Sequence, residues 1–416
     1  MWKRGADARR MWAVALVLAF LCAAPRAHAG DAGERWVGTW ASSAQLADEA
    51  QSAPAAGFRD TTLRQVVRVS VGGPRLRVRF SNAFGTTPLT LTKAHLALSA
   101  GAAAIRPESG KALSFAGRPS VTIPPGALMV SDPVAFDLRP LADLAVTVHL
   151  DGAPKELTAH PGSRTTSYLR KGDAVTAPDL ADASKVDHWY FLNGIDVAGG
   201  DASSAVVVLG DSITDGRGST TNGNDRWTDH LARRLHADQR TRGVGVLNQG
   251  IGGNRLLRDG LAQNGLARLD RDVIAQTGAR FLVVLLGVND IGNGKVARER
   301  GEPGPTVEDL IAGYRQIVLR ARTHGMRVYG ATILPFEGFD RYFDAQSEAD
   351  RQAVNAWIRT GGAFDAVIDF DAAMRDPQRP ARLKAEVDVG DRLHPGPAGY
   401  RVMGEAVDLA LFRPKR

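Results

Sequence analysis

The most informative segment of the sequence is Val206-Val207-Val208-Leu209-Gly210-Asp211-Ser212-Ile213-Thr214-Asp215-Gly216. Its first half is a short apolar run, which is typical of a strand buried on both faces of a parallel sheet. Its second half is a small polar turn flanked by glycine. Because ligands of such sheets bind just beyond the carboxyl ends of the strands, Ser212 is a candidate nucleophile. The alternative, which this segment leaves open, is a turn in which Ser212 or Asp211 only caps the next helix.

The region from residue 201 to 416 alternates between strand and helix patterns. The predicted strands are apolar runs at residues 205–209, 245–247, 281–286, 328–334 and 366–370. The clearest helix between them is predicted to begin after Thr306, because Thr306 and Asp309 have the spacing of a capping box. Strands that alternate with helices predict an α/β domain, here a three-layer, doubly wound parallel sheet.

The region from residue 30 to 200 has a different pattern, in which short alternating runs are broken by Gly, Pro, Asn and Asp. Residues 63–71 and 75–81 are predicted to form a hairpin with one buried and one wet face, joined by Gly72-Gly73-Pro74. Further strands are predicted at residues 89–98, 120–123 and 144–150. The pattern predicts a β-rich, sandwich-like domain ahead of the α/β domain, with a small polar linker at residues 199–204.

The role of the β-rich region stays open at this point. It can bind glycan, form one wall of the site, or stabilise the α/β domain. Trp40, Trp189 and Tyr190 are candidate sugar-stacking side chains, but aromatic residues of a small sandwich are more often core residues.

The first 29 residues have the features of a secretory signal peptide. A basic head precedes an apolar segment from Met11 to Ala24, and Ala27-His28-Ala29 is a small-x-small cleavage site before Gly30. The apolar segment is shorter than the ~20 residues of a membrane span. We therefore expect cleavage near Ala29, a secreted or periplasmic protein and no integral membrane segment after cleavage. A retained anchor is the alternative, and the Arg9-Arg10 pair leaves the general secretory and twin-arginine routes both open.

Composition excludes several classes of function. Without residues 1–29 the formal charge falls from +7 to +3, because five basic residues and one acidic residue lie there. No later basic run with interleaved aromatics predicts a nucleic-acid partner. The one cysteine, Cys22, also lies in this segment, so a mature protein has no disulfide, thiol nucleophile or thiolate ligand. Since no metal-binding motif is present either, we expect no metal and no cofactor.

A serine nucleophile needs a base to take its proton, and histidine titrates in the right range. Among the nine histidines, His394 has a carboxylate in a turn beside it, because Asp391 precedes it by three residues. Glycine and proline on both sides predict a loop ahead of a helix from about Ala398. The alternative is a surface histidine in a proline-rich connector.

Acyl transfer also needs donors for a developing oxyanion, each typically worth ~3 to 4 kcal/mol. The backbone N–H of Ser212 is one candidate. Residues 248–254 and 287–290, which follow the second and third predicted strands, offer glycine N–H groups and asparagine amides. Either loop alone can be a simple turn, but all these groups follow strands on one predicted edge of one sheet. Asp211 is interpreted as a turn or capping group and not as the acid beside the base.

These residues resemble the blocks of the SGNH hydrolases, also called GDSL-type esterases. Residues 210–213 resemble the first block, with isoleucine in place of the usual leucine. Gly253 stands at the oxyanion glycine of that family, and Asn289 at the asparagine of its G-x-N-D block. Asp391 and His394 match its D-x-x-H block. The four blocks span nearly all of the α/β region, and the resemblance does not extend to the β-rich region.

The resemblance implies a flavodoxin-like parallel sheet and a catalytic triad of Ser212, His394 and Asp391. It also implies an oxyanion hole formed by the N–H groups of Ser212 and Gly253 and the side chain of Asn289. The implied function is a secreted serine esterase that acts on a small-molecule or carbohydrate ester, most often a short-chain acetyl ester. Together with these blocks, residues 36–40 resemble secreted bacterial members grouped with carbohydrate acetylesterases and arylesterases. The alternatives are a lipase or lysophospholipase acting on longer acyl chains, and a non-catalytic glycan-binding protein.

Overall fold

A computed structural model describes residues 34–47, 57–200 and 203–413. The predicted signal peptide, residues 1–29, lies outside the described residues. In the described part of the chain, no helix combines the length and the apolar character needed to cross a membrane.

The described residues before residue 200 form sixteen strands. They are β1 (Arg35–Ala41), β2 (Gln45–Leu46), β3 (Thr61–Arg68), β4 (Gly73–Ser81), β5 (Leu89–Gly101), β6 (Ala104–Ile105), β7 (Lys111–Ala112), β8 (Val121–Ile123), β9 (Leu128–Val130), β10 (Val134–Leu138), β11 (Asp143–Leu150), β12 (Thr158–His160), β13 (Ser167–Lys171), β14 (Ser184–Val186), β15 (Trp189–Tyr190) and β16 (Leu192–Gly199).

These strands pair antiparallel in three sheets. One sheet has the order β1-β16-β4-β10, with β9 also on β4. The largest has the order β14-β13-β3-β11-β5-β6, with β7 and β8 also on β5. The smallest has the order β15-β12-β2. The predicted β-rich character of this region is therefore observed, while its sandwich-like packing remains a prediction.

The predicted hairpin of residues 63–71 and 75–81 is wrong. Both strands exist as β3 and β4, but β3 pairs with β11 and β13, whereas β4 pairs with β16, β10 and β9. The chain passes from one sheet to the other between these two strands. There the backbone N–H of Ser70 donates to the carbonyl oxygen of Thr39 at 2.9 Å. Alternation of apolar and polar residues fits a hairpin and two consecutive strands of different sheets equally well.

The predicted wet face of β3 is also wrong, because polar side chains on that face are buried. Arg64 is fully buried. Its guanidinium donates to Thr147 Oγ1 at 2.9 Å and to the carbonyl oxygens of Ala103 at 2.5 Å and Ala177 at 2.7 Å. A buried cation is tolerated where its donors are satisfied in this way, and the alternation pattern carries no sign of it.

A parallel sheet follows the β-rich region. Its strands are β17 (Ser204–Gly210), β18 (Val244–Gly250), β19 (Ala279–Leu285), β20 (Arg327–Ala331) and β21 (Ala366–Ile368). Their order is β18-β17-β19-β20-β21. This is the doubly wound order of the predicted flavodoxin-like sheet. In such sheets ligands bind at the carboxyl end of the first strand, here β17, where the connections on its two sides run in opposite directions. The three-layer arrangement remains a prediction.

Seven α-helices accompany this sheet in the described residues. They are α1 (Ser212–Asp215), α2 (Trp227–Ala237), α3 (Val288–Glu299), α4 (Val307–Thr323), α5 (Ala345–Thr360), α6 (Phe370–Met374) and α7 (Pro397–Ala406). The predicted capping box is present at α4: the N–H of Thr306 donates to Asp309 Oδ2 at 2.9 Å, and the N–H of Asp309 donates to Thr306 Oγ1 at 3.1 Å. A short π-helical turn lies at Asp270–Ile274, and 3₁₀ turns lie at Pro107–Ser109 and Leu409–Phe412.

The edge strand β18 is covered by β1 of the β-rich region. The N–H of Val246 donates to Ser70 Oγ at 2.9 Å. The N–H of Gly38 donates to the carbonyl oxygen of Thr277, also at 2.9 Å. An exposed sheet edge invites pairing with other chains, and here it is protected. The change from antiparallel to parallel pairing falls between β16 and β17, and the division into domains at residues 200 and 201 remains a prediction.

The contact of β1 with β18 is close enough to test with one methyl group. A Cβ atom at residue 245 would lie 2.1 Å from the carbonyl oxygen of Gly38, so one of the two strands would have to shift. We expect Gly245→Ala to lower the free energy of unfolding by about 1 to 3 kcal/mol, measured by denaturant titration. Gly200→Ala is the matched control, because no atom lies within 4 Å of a Cβ atom there. Equal stability of the two variants would show that β1 does not pack tightly on β18.

Candidate active site

Ser212 begins α1, directly after the carboxyl end of β17. The carboxylate of Asp211 accepts the N–H of Ile213 at 3.0 Å and so caps this single turn, as interpreted from the sequence. Gly216 ends the turn with φ of 101°, a left-handed conformation that favours glycine. The hydroxyl oxygen of Ser212 lies 2.8 Å from His394 Nε2. The sequence left open whether this turn only caps the helix or carries a nucleophile. In the structure Asp211 provides the cap, and Ser212 contacts His394.

His394 is held by Asp391 in the loop ahead of α7. Nδ1 of His394 lies 2.6 Å from Asp391 Oδ2, and Asp391 Oδ1 accepts the backbone N–H of His394 at 2.8 Å. Partial burial acts to raise the pKa of Asp391, but the hydrogen bonds from the side chain and backbone of His394 outweigh it and hold this pKa well below its usual range. The ionised carboxylate of Asp391 accepts a hydrogen bond from the N–H group at Nδ1 of His394. Nε2 is then free to accept a hydrogen bond from the hydroxyl of Ser212.

A second carboxylate, which the sequence did not single out, shapes this loop. Asp388 Oδ1 accepts the N–H groups of Gly390 at 2.7 Å and Arg392 at 3.1 Å. Arg392 is a non-glycine residue with φ of 69°, and its guanidinium donates to Asp388 Oδ2 at 3.0 Å. A residue held in this uncommon conformation needs such surrounding contacts.

Gly253 and Asn289 lie at the ends of the strands on either side of β17. Gly253 follows β18 and has φ of 70°. Asn289 follows β19 and is the second residue of α3. In the described part of the chain, the backbone N–H groups of Ser212 and Gly253 donate to no protein acceptor. The structure therefore brings the predicted nucleophile and the predicted oxyanion donors to one edge of one sheet.

The amide of Asn289 has a fixed orientation. Nδ2 donates to the carbonyl oxygen of Asn254 at 2.9 Å, and Oδ1 accepts from the hydroxyl of Tyr342 at 3.1 Å. An amide nitrogen has two hydrogens, so one remains to donate elsewhere. Tyr342 fits here because Gly292 leaves room: a Cβ atom on Gly292 would lie 2.1 Å from the Tyr342 ring. No local pattern pointed to Tyr342, which is 53 residues from Asn289.

Two buried charged residues hold the loop around Gly253. Asp290 accepts the N–H groups of Leu256 at 2.7 Å and Leu257 at 3.1 Å, and burial raises the pKa of Asp290 to about 6. Arg268 is fully buried. It donates to Asn254 Oδ1 at 3.1 Å, to the carbonyl oxygen of Gly210 at 2.9 Å and to Asp272 Oδ2 at 3.0 Å. Arg268 therefore connects the end of β17 to the loop after β18.

The aromatic side chains considered as sugar platforms belong to the core. Trp40, Trp189 and Tyr190 are buried, and Trp40 meets Trp189 edge to face at a centroid distance of 4.9 Å. Among the residues that the structure describes, no group of three or more His, Cys, Asp or Glu side chains could hold a metal ion.

The buried carboxyl group of Asp211 gives a test by pH. Burial raises the pKa of Asp211 to about 7, and the nearby Asp290 acts in the same direction. The unfolded chain releases this proton near pH 4, whereas the folded chain keeps it until about pH 7. The wild type therefore loses stability as pH rises through this window. Asp211→Asn keeps the capping oxygen but has no proton to lose.

The quantity to compare is the melting temperature of Asp211→Asn minus that of the wild type. We expect this difference to increase between about pH 4 and pH 7 and to stay constant above that range. Thermal unfolding of both proteins across this range measures the difference. A difference that does not change with pH would contradict the raised pKa.

Comparison with known proteins agrees with the resemblance drawn from the sequence. Residues 208–402 match the model of the GDSL-like lipase/acylhydrolase family. No curated protein matches the chain. Similar solved structures include an aryl esterase from M. smegmatis, with 18% identity over 49% of this chain and 96% of that chain and a TM-score of 0.38. An acetyl xylan esterase variant from Geobacillus stearothermophilus has 22% identity over 50% and 94% and a TM-score of 0.38.

A GDSL-like lipase from Bacteroides thetaiotaomicron has 18% identity over 49% of this chain and 85% of that chain, with a TM-score of 0.36. The family match itself covers the strand end, the turn and the loops described above. Residues 208–402 of this chain are thus a carboxylic ester hydrolase domain of the GDSL-like lipase/acylhydrolase family.

Proposed function

We propose that this protein is a secreted serine esterase that hydrolyses carboxylic esters through an acyl-enzyme on Ser212. The observation that carries the proposal is the continuous chain of short contacts from Ser212 Oγ to His394 Nε2 at 2.8 Å and from His394 Nδ1 to Asp391 Oδ2 at 2.6 Å. A serine hydroxyl is a weak nucleophile unless an oriented base removes its proton, and this arrangement supplies the base and the group that orients it.

The acylation step follows from these positions. His394 Nε2 takes the hydroxyl proton as Ser212 Oγ forms a bond to the ester carbonyl carbon. The carbonyl oxygen becomes an oxyanion, which accepts from the N–H groups of Ser212 and Gly253 and from the second amide hydrogen of Asn289. When the tetrahedral intermediate collapses, the bond to the alcohol oxygen breaks and His394 gives its proton to that oxygen. The products of this half are an ester on Ser212 and a free alcohol.

The deacylation step repeats the same chemistry with water. His394 takes a proton from water, whose oxygen attacks the acyl carbon, and the same donors hold the second oxyanion. Collapse returns the proton to Ser212 Oγ and releases the acid. Throughout, the low pKa of Asp391 keeps a negative charge beside the ring, and this charge stabilises the imidazolium that forms in each half.

Short acyl chains suit the surroundings of the site best. In the described part of the chain, the large exposed apolar side chains beside site residues are Leu261, 68% exposed and placed against Gly253, and Val389 in the His394 loop. These two side chains give apolar contact for a small acyl group. We therefore propose acetyl or other short-chain esters, including carbohydrate esters, as substrates. The features of residues 1–29 support secretion or a periplasmic location.

Replacement of the nucleophile tests the proposal. We expect Ser212→Ala to lower the hydrolysis of p-nitrophenyl acetate by about 10³-fold or more while the melting temperature stays near that of the wild type. Ser219→Ala is the matched control, because Ser219 Oγ is buried nearby and has no hydrogen-bond partner in the described structure. Hydrolysis by Ser212→Ala at the wild-type rate would refute the proposed mechanism.

The same assay separates the proposed substrate class from the lipase alternative. We expect a higher kcat/KM for p-nitrophenyl acetate than for p-nitrophenyl octanoate. The reverse order would assign the protein to longer acyl chains and would leave the mechanism at Ser212 intact.

The contacts of Asn289 predict a graded effect on turnover. We expect Asn289→Ala to lower kcat by about 100-fold with little change in KM, because it removes an oxyanion donor. Tyr342→Phe leaves the donor but frees the amide to rotate, so a smaller loss of kcat is expected. Steady-state kinetics on a short ester measures both. An increase in KM without a change in kcat would instead assign Asn289 to binding of the ground state.

A further inference from the structure

A buried histidine of the β-rich region contacts the turn that carries the nucleophile. His160 is the last residue of β12, and its Nε2 lies 2.9 Å from Asp215 Oδ1. Its Nδ1 lies 2.8 Å from the carbonyl oxygen of Ser43. Asp215 is the last residue of α1, the turn that begins at Ser212. His160 and Asp215 are each 4% exposed, so their contact is screened less than a contact on the surface.

The other oxygen of Asp215 holds the loop of the candidate oxyanion glycine. Asp215 Oδ2 accepts the backbone N–H of Gly252 at 3.1 Å, and Gly253 follows directly. The approach is close, because a Cβ atom on Gly250 would lie 2.2 Å from the backbone nitrogen of Asp215. The carboxylate of Asp215 therefore joins the turn of Ser212 to the loop of Gly253.

The orientation of this carboxylate depends on His160. The ring of His160 is itself fixed, because it stacks on Trp189 with a centroid distance of 5.6 Å and an interplanar angle of 27°. Both ring nitrogens face oxygen atoms, and Nε2 is placed to donate a hydrogen bond to the carboxylate of Asp215. Loss of the donor would leave a buried carboxylate oxygen without its partner, and the carboxylate would turn or admit water.

A second contact from the β-rich region reaches the same loop. Ser43 Oγ accepts from Arg268 Nη1 at 2.9 Å, and the same guanidinium donates to Asn254 Oδ1 and to the carbonyl oxygen of Gly210. Asn254 follows Gly253 in the chain. Two contacts from the β-rich region, which share Ser43, therefore reach the loop on either side of Gly253, one through Asp215 and one through Arg268.

We propose that the β-rich region supplies positioning residues for the oxyanion loop, defined here as residues 250–254, with His160 acting through Asp215 and Gly252. This inference rests on the proposed function. His160 does not touch the reacting atoms, and it acts by holding a donor where negative charge develops. Interactions that matter only in the transition state change kcat and leave KM nearly constant.

Two amide substitutions of His160 separate its two contacts. The amide nitrogen of asparagine reaches the position of Nδ1 and keeps a donor to Ser43, whereas that of glutamine reaches the position of Nε2 and keeps a donor to Asp215. We expect His160→Asn to lower kcat about 10- to 100-fold with KM nearly unchanged, since small displacements at a site have effects of this size. We expect His160→Gln to retain kcat within about threefold of the wild type. A role in packing alone would not favour the glutamine variant.

Amide hydrogen exchange gives a second measurement that does not require hydrolysis. The N–H of Gly252 is bonded to Asp215, so we expect faster exchange in a peptide covering residues 250–254 in His160→Asn than in the wild type or in His160→Gln. His95→Ala is the matched control, because His95 is a buried histidine of β5 whose Nδ1 has no partner among the described residues. This control is expected to lose stability without a change in kcat or in exchange of the loop.

Three results would overturn the proposal: equal kcat in the asparagine and glutamine variants, unchanged exchange of the loop in His160→Asn, or the same loss of kcat in His95→Ala. If Ser212→Ala hydrolysed esters at the wild-type rate, this result would refute the proposed function instead. The exchange measurement would then still decide whether His160 positions the loop.

Discussion

The place of β17 between β18 and β19 is the constraint on which the site depends. Gly210, at the end of β17, pairs with Gly250 on one side and Leu285 on the other. Neighbouring strands of a sheet lie about 4.8 Å apart, so the loops that follow three adjacent parallel strands begin within reach of one another. Ser212, Gly253 and Asn289 are spread over many residues of sequence, and this pairing brings the segments that carry them to one edge of the sheet.

Around this edge the protein uses buried polar groups as fixed supports. Arg268 and Asp290 are buried, and each is satisfied by several hydrogen bonds to loops of the site. Such groups are costly when they lose a partner, so each restricts the backbone to conformations that satisfy it. The side chain of Asn289 is held in the same way. Its amide oxygen accepts from Tyr342 and one amide hydrogen is donated to the carbonyl oxygen of Asn254, so the second amide hydrogen has a defined direction.

Local patterns in the sequence predicted the parts of this protein that local physics controls. The apolar runs of the parallel sheet, the capping box at Thr306 and the three-residue spacing of Asp391 and His394 all involve neighbours in the chain, and the structure contains each of them. The alternation of strands and helices predicted the parallel sheet, and the resemblance to a known family implied its flavodoxin-like order.

Partners that are distant in the chain could not be predicted in this way. The sequence pattern places His160 in the β-rich region, and its contact with Asp215, 55 residues away in the chain, has no local sign. The predicted hairpin is wrong for the same reason. The alternation of apolar and polar residues in β3 and β4 indicates which side chains are apolar, but it does not indicate which strand pairs with each of them. Arg64 and Arg268 had no distinguishing feature, because the satisfaction of a buried cation depends on backbone oxygens from remote segments.

The pairing of β1 with β16 has a consequence for how the chain reaches its native state. Ser42, just after β1, donates to the carbonyl oxygen of Leu192 at the start of β16, a separation of 150 residues. The strand that covers the edge of the parallel sheet must therefore wait for nearly the whole β-rich region to be available. Such non-local pairing makes folding slow, because the entropy of closing a long loop is lost before the contacts form. Whenever β1 is out of place the edge of β18 is uncovered, so this strand is a site where a partly folded chain can associate with other chains.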